Sequence, residues 1–214
     1  MSAHYSPYYE QMKQLAGEKR IQHNIDTSKI DLNVIRAIYR KEGIRIDQWP
    51  FKGGRIRAIY IVDEDGPSVA IRNGLPREPK AFALVHELKH HYVDQDAILD
   101  GKYQCGSYNE NEMIEVGAEV FAAQFIYPDH EMLAHLHEFG VPSTGCTAES
   151  IVRFKKICPA LVSYKFLVKR FERFGRIEKG LCASVQFTKL EEQIFGLPIH
   201  KRPSFIRNRK RGSK

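Results

Sequence analysis

The chain has 214 residues, enough for one domain with a small appendage and for a core that needs no disulfides. Hydrophobic residues make up 43% and charged residues 28%, which excludes a disordered chain, and the run Ala58-Ile59-Tyr60-Ile61-Val62 is far too short for a membrane span of about 20 residues. The formal net charge of +7 suggests an acidic partner, but seven of the 33 Lys and Arg residues, and no acid, lie in 201–214, so residues 1–200 are formally neutral.

The N-terminal stretch from Met1 to Pro7 has no apolar core of a signal peptide, which predicts a cytoplasmic protein. Glu10 opens a short predicted helix over 10–16. Asp31 caps a helix to residue 42, with Leu32, Ile35, Ile38 and Tyr39 on one face and Gly43 as its stop. Strand signals follow at 44–49, 56–62 and 68–72, separated by Gly53-Gly54 and Asp65-Gly66-Pro67. They predict a small three-stranded antiparallel sheet. Pro76 and Pro79 introduce a helix over 80–93, and a polar irregular stretch runs from 94 to 111. A second strong helix covers 112–126 and a third covers 129–139, closed by Gly140. Pro142 and Gly145 mark a boundary. Helices at 148–157 and 160–174 are joined at Cys158-Pro159, and a strand is expected at 182–188. Cys105, Cys146, Cys158 and Cys182 form no C-x-x-C pair, so free thiols are expected.

The chemistry concentrates in His86-Glu87-Leu88-Lys89-His90, an H-E-x-x-H run on the helix at 80–93. Residues at i and i+4 share a helix face about 5–6 Å apart at Cβ, so both imidazoles can converge on one metal ion. Glu87 lies about 100° round, where it reaches a water at the metal rather than the metal itself. A catalytic zinc needs a third protein ligand. Glu115 and Glu119, again i and i+4, supply it from the helix at 112–126. Glu115 is assigned as the ligand, and Glu119 as the carboxylate that accepts a hydrogen bond from a ligand imidazole. Gly117 and Ala118 between them permit close helix approach.

The run from Ala81 to His91 resembles the metal-binding helix of the ImmA/IrrE metallopeptidases. Glu115 to Pro128, with Phe121-Ala122-Ala123, is similar to that family's second helix, and Glu115 falls on the Glu the family uses as third zinc ligand. The resemblance extends over roughly 28–177 and includes Leu161-Val162-Ser163, Leu167, Arg170, Phe171 and Gly175. Lys89 stands where the family often has a small residue, and Gly117 and Glu119 replace a Glu and an Asn of its second pattern. The Glu115/Glu119 pair looks like the arrangement of gluzincin peptidases generally.

The resemblance implies an α+β fold with the three-stranded sheet on zincin-type active-site helices. With the boundary at Pro142 and Gly145 and the charge of the last fourteen residues, the expected division is a metallopeptidase domain at 1–140, a C-terminal helical subdomain at 141–200 and a basic disordered tail at 201–214. The resemblance further implies a Zn2+-dependent endopeptidase with Glu87 as general base and His86, His90 and Glu115 as ligands. The expected substrate is a helix-turn-helix repressor. No such module fits before residue 28, so the repressor is expected on a separate polypeptide. His91, Tyr92, Tyr108, Tyr127 and the downstream histidines are open alternatives for the group that stabilises the oxyanion.

A different reading makes the protein a nucleic-acid-associated regulator that uses the C-terminal helices and the basic tail, with a structural or vestigial metal site. The apolar content of 160–174, Phe166, Leu167, Phe171 and Phe174, argues for packing rather than for a helix lying in a DNA groove. His130, His135 and His137 read as a solvated helix face, and Trp49 reads as core.

Overall fold

The computed structural model describes residues 7–53, 56–102, 112–198 and 201. Helix α1 (Pro7–Gln22) buries Met12, Ala16 and Arg20, one residue per turn on a single stripe. This helix is longer than the stretch expected from Glu10 because the stripe, though sparse, continues to Arg20. In α2 (Leu32–Lys41) the Asp31 carboxylate accepts from the amides of Asn33 and Val34 at 2.8 and 3.0 Å. That cap satisfies two orphan donors of the first turn. The helix stops at Gly43, whose φ of +70° a side-chain-bearing residue adopts only with strain.

Strands β1 (Arg45–Trp49), β2 (Ala58–Asp63) and β3 (Gly66–Arg72) form one sheet in the order β1-β3-β2. The β2–β3 hairpin is antiparallel, pairing Tyr60 with Val69. The β1–β3 pair is parallel, pairing Ile46 with Val69. The sheet is therefore mixed rather than antiparallel throughout. The connection from β1 crosses to the far side of β3, and alternation within a strand does not specify its neighbour.

Helix α3 (Arg77–Lys89) starts after Pro76, runs into a π-helical turn at His90–Asp94, and continues as α4 (Gln95–Leu99). Helix α5 (Glu112–Ile126) matches its expected span. Helix α3 packs on α2, α5, β2 and β3, and α1 packs on α5. Tyr39, Tyr60, Val69, Leu84, Leu88, Phe121 and Phe125 are all buried. Each such side chain contributes about 1.5–3 kcal/mol by leaving water. Trp49, expected in the core, is 57% exposed at the end of β1.

Two compact units divide the described residues. The first runs to Ala134 and includes Pro159–Ser163; the second comprises His135–Cys158 and the residues from Tyr164 on. Helix α6 (Asp129–Glu138) follows Pro128. In the second unit, Thr147 and Ser150 form a reciprocal cap on α7 (Ala148–Ile157). Phe154 packs on Phe171 of α8 (Tyr164–Arg173), with ring centroids 5.8 Å apart. Helix α7 ends where Pro159 holds Cys158 extended at ψ 127°, and α8 begins at Tyr164 rather than at 160.

The strand expected at 182–188 does not form. Its end belongs instead to α9 (Phe187–Phe195), where Phe187, Leu190 and Ile194 recur at helical spacing. Phe187 stacks on Tyr164 at 4.7 Å, and the Tyr164 hydroxyl donates to Glu191 at 2.9 Å. Cys146 and Cys182 are buried free thiols and Cys158 is a half-buried one. Cys105, Tyr108 and nearly all of the basic tail lie outside the described residues.

Candidate metal centre

Helices α3 and α5 lie against each other, and the site forms where His86, His90 and Glu115 meet. His86 Nε2 is 3.1 Å from Glu115 Oε2 and 3.3 Å from His90 Nε2. One donor atom from each residue lies within 4.8 Å of the other two. Three ligands about 2.0–2.1 Å from a tetrahedral zinc sit roughly 3.3 Å from one another. The donor set thus has the size and the nitrogen–oxygen chemistry that a zinc-class ion requires.

The orientation of His90 is fixed from behind. Its Nδ1 lies 2.7 Å from Asp94 Oδ2. A carboxylate only accepts, so Nδ1 carries the proton and the Nε2 lone pair faces the site. Asp94 also receives Lys89 Nζ at 2.6 Å, and the Lys89 side chain is fully buried. Lys89 Nζ lies 3.4 Å from the carbonyl of Ile114, next to Glu115. The π-helical turn makes this possible. Widening to i→i+5 turns Asp94 back beneath both Lys89 and His90. Lys89 therefore fills with a paired cation the position where the resembled family often has a small residue.

Glu87 is buried, and its Oε2 accepts the backbone N–H of Tyr60 on β2 at 2.9 Å. Burial pushes its pKa up, the charges of His86 and His90 pull it back, and Glu115 adds to the rise. A carboxylate held above its ordinary range is suited to accept and return a proton near neutrality. For His86, burial lowers the pKa. The hydrogen bond with Glu115 and the charges of Glu87, Glu115 and Glu119 outweigh it, so the net shift is upward. Glu119 is half-buried one turn beyond Glu115 and acts on His86 through its charge. The carboxylate that accepts from His90 is Asp94, which the sequence reading placed in an irregular stretch. The signal for it was present as an i, i+4 His–Asp pair.

Among the remaining candidates, His91 and Tyr92 meet Tyr60, Glu42 and His23. The Tyr60 hydroxyl and His91 Nδ1 are 3.1 Å apart, and His91 Nε2 lies 3.9 Å from Glu42. Glu42 accepts from the Tyr92 hydroxyl at 3.3 Å and pairs with His23 Nε2 at 3.0 Å. Burial raises the Tyr92 phenol pKa well above its usual range and lowers those of His23 and His91. Tyr60, not weighed in the sequence, thus ties Glu87 to this cluster through its backbone and its hydroxyl. Tyr127 is fully buried. His130 and His137 are exposed on α6, and His135 stacks on Phe139.

Close approach of α1 supports α5 from the other side. A Cβ on Gly117 would stand 2.5 Å from the Tyr8 ring, so only glycine admits that ring. Arg20 donates to the carbonyl of Phe125 at 2.8 Å and to Glu131 at 2.6 Å, tying α1 to the end of α5.

Residues 40–145 match the family model Peptidase_M78, described as the IrrE N-terminal-like domain. The matched span contains His86, Glu87, His90, Asp94 and Glu115, and leaves out α1 and most of α2. No curated protein matches the chain. Among the described residues, no helix is long and apolar enough to cross a membrane.

Proposed function

Because the chain belongs, through residues 40–145, to the Peptidase_M78 family of IrrE N-terminal-like domains, we propose that it is a zinc-dependent endopeptidase of the H-E-x-x-H type. The observation that carries this reading is the convergence of His86, His90 and Glu115 beside a buried carboxylate that is not one of them. A structural metal site needs ligands but has no use for Glu87.

In this mechanism His86, His90 and Glu115 would hold the ion, which would supply Lewis acidity and lower the pKa of a water. Asp94 keeps His90 in the tautomer that offers Nε2. Glu87, aimed by the Tyr60 amide, takes the proton of the attacking water and delivers it to the leaving amine nitrogen. Glu119 places a further negative charge near His86. The substrate we propose is a separately encoded helix-turn-helix repressor, whose cleavage derepresses genes in the cytoplasm. That part of the proposal is supported by family resemblance and not by geometry.

Co-expression of the native chain or its Glu87→Gln variant with candidate repressors tests the reading. Zinc at one equivalent in both proteins, with repressor cleavage only by the native form, is the expected result. Equal cleavage by both removes Glu87 from the chemistry. Repression relieved equally by both, without cleavage, favours the nucleic-acid-associated alternative.

A further inference from the structure

Helix α3 has a second face. Leu84 lies about 200° round the helix from His86, and it lines a cavity of about 550 Å³ between α2, α3 and β1. Tyr39, Ile71 and Leu84 give the cavity an apolar floor. Its walls carry Arg36 and Arg40 from α2, Arg45 from β1 and Lys80 from α3, against a single acid, Asp47. None of those four basic side chains has an ion-pair partner among the described residues. Arg36 and Arg40 are a like-charged i, i+4 pair, an arrangement that works against its own helix unless an anion relieves it.

The same cavity borders an open strand edge. In the order β1-β3-β2, β1 pairs only with β3. In a parallel ladder alternate residues turn N–H and C=O away from the partner, so β1 presents unpaired backbone groups along 45–48, all of which line the cavity. No backbone bond closes that edge among the described residues. A small phosphate ligand fits these features less well. No glycine lines the cavity, and the α2 and α3 residues that do line it lie beyond the first turns of their helices.

We propose that this groove docks an extended, acid-rich segment of a protein partner, which adds as a strand alongside β1. Main-chain bonds to β1 give it register. Its acidic side chains then meet Arg36, Arg40, Arg45 and Lys80. Because β1 is five residues long, the segment is about as short. Most of α2 lies outside the family-matched span, so two of the four cations belong to a part of the chain that the match does not describe or only begins in. The proposal does not require the metal site to be catalytic.

The test is binding, not cleavage. A fluorescein-labelled octapeptide of alternating Glu and Val is titrated into the full-length Glu87→Gln chain and followed by anisotropy. We expect saturable, salt-weakened binding, at least tenfold weaker in Arg36→Glu/Arg40→Glu and in Arg45→Glu, each checked for native circular dichroism. Hydrogen exchange over residues 44–49 should slow on binding, and a peptide N-methylated at alternate amides should lose most of its affinity. Equal affinity in both charge-reversal variants would place the peptide on the basic residues 201–214 and overturn the proposal. So would binding without protection at 44–49, or equal binding of the N-methylated peptide. An eight-nucleotide single-stranded DNA that binds the groove more tightly than the peptide would overturn it in favour of nucleic acid.

Discussion

In α3 and the π-helical turn after it, His86 and His90 are one turn apart and their Nε2 atoms stand 3.3 Å from each other. In α6, His130, His135 and His137 share one helix as well, yet two of them face solvent. Residue type and helical placement are the same in both regions. What differs is what surrounds them. The first pair faces a buried Glu115 on a neighbouring helix, and Asp94 holds one of its rings. The α6 residues have spacings of five, two and seven, which put no two imidazoles one turn apart on one face. What brings donor atoms together is thus the second element and the groups behind the imidazoles, not histidine content.

The largest effect should come from removing the contribution of α5. Glu115→Ala removes the carboxylate that stands 3.1 Å from His86 Nε2. We expect loss of stoichiometric zinc in gel-filtered protein, measured by atomic emission, and loss of cleavage with it. Retention of one equivalent of zinc would mean that α5 does not complete the site.

Removing the buried cation of α3 comes next. Lys89→Met leaves the buried Asp94 carboxylate with His90 but without its cation, and breaking a buried pair from one side costs about 3–5 kcal/mol. Urea unfolding of metal-free protein measures it. The double variant Lys89→Met/Asp94→Asn should recover part of the loss, since no uncompensated charge remains. A single variant as stable as native protein would show that Lys89 is not held as an ion pair.

Some of this was legible in the sequence and some was not. His86, Glu87 and His90 could be read because i, i+4 spacing translates directly into a shared face. Glu115 could be read because it pairs i, i+4 with Glu119 on a predicted helix and falls on the Glu that the resembled family uses as third ligand. Asp94 was missed because hydrophobic periodicity does not distinguish an α-helical turn from a π-helical one, and 94–99 looked polar enough to be loop. Lys89 looked out of place for the same reason, since its counter-charge is five residues away. The parallel β1–β3 pairing was hidden because alternation gives a strand's faces and not its neighbours. At 182–188, local β-branched content misled where the helical spacing from Phe187 to Ile194 decided the outcome.

A smaller effect isolates the group behind His90. Asp94→Asn keeps the shape but lets an amide N–H face Nδ1, which moves the imidazole proton toward Nε2. Loss of such an oriented partner weakens metal binding by about 10–100-fold. Competition with a chromophoric chelator reads this directly, at a pH where both proteins are folded. Unchanged affinity would mean that α3 and α5 alone set the geometry of His90.

The smallest expected effect is the one that makes the comparison fair. Replacing His130, His135 and His137 together with Gln should leave zinc content and cleavage as they are. His130 and His137 are seven residues apart, about 10.5 Å along the helix axis, farther than two ligands of one ion can stand. His135 and His137 are about 200° apart round the helix and point away from each other. Among the described residues, only His86, His90 and Glu115 bring three such donors within 4.8 Å. If the triple variant lost zinc in proportion to the residues removed, α6 would be binding metal in solution by a route its helical geometry does not provide. The contrast between the two helices would then have to be redrawn around imidazole content rather than around the carboxylates that meet it.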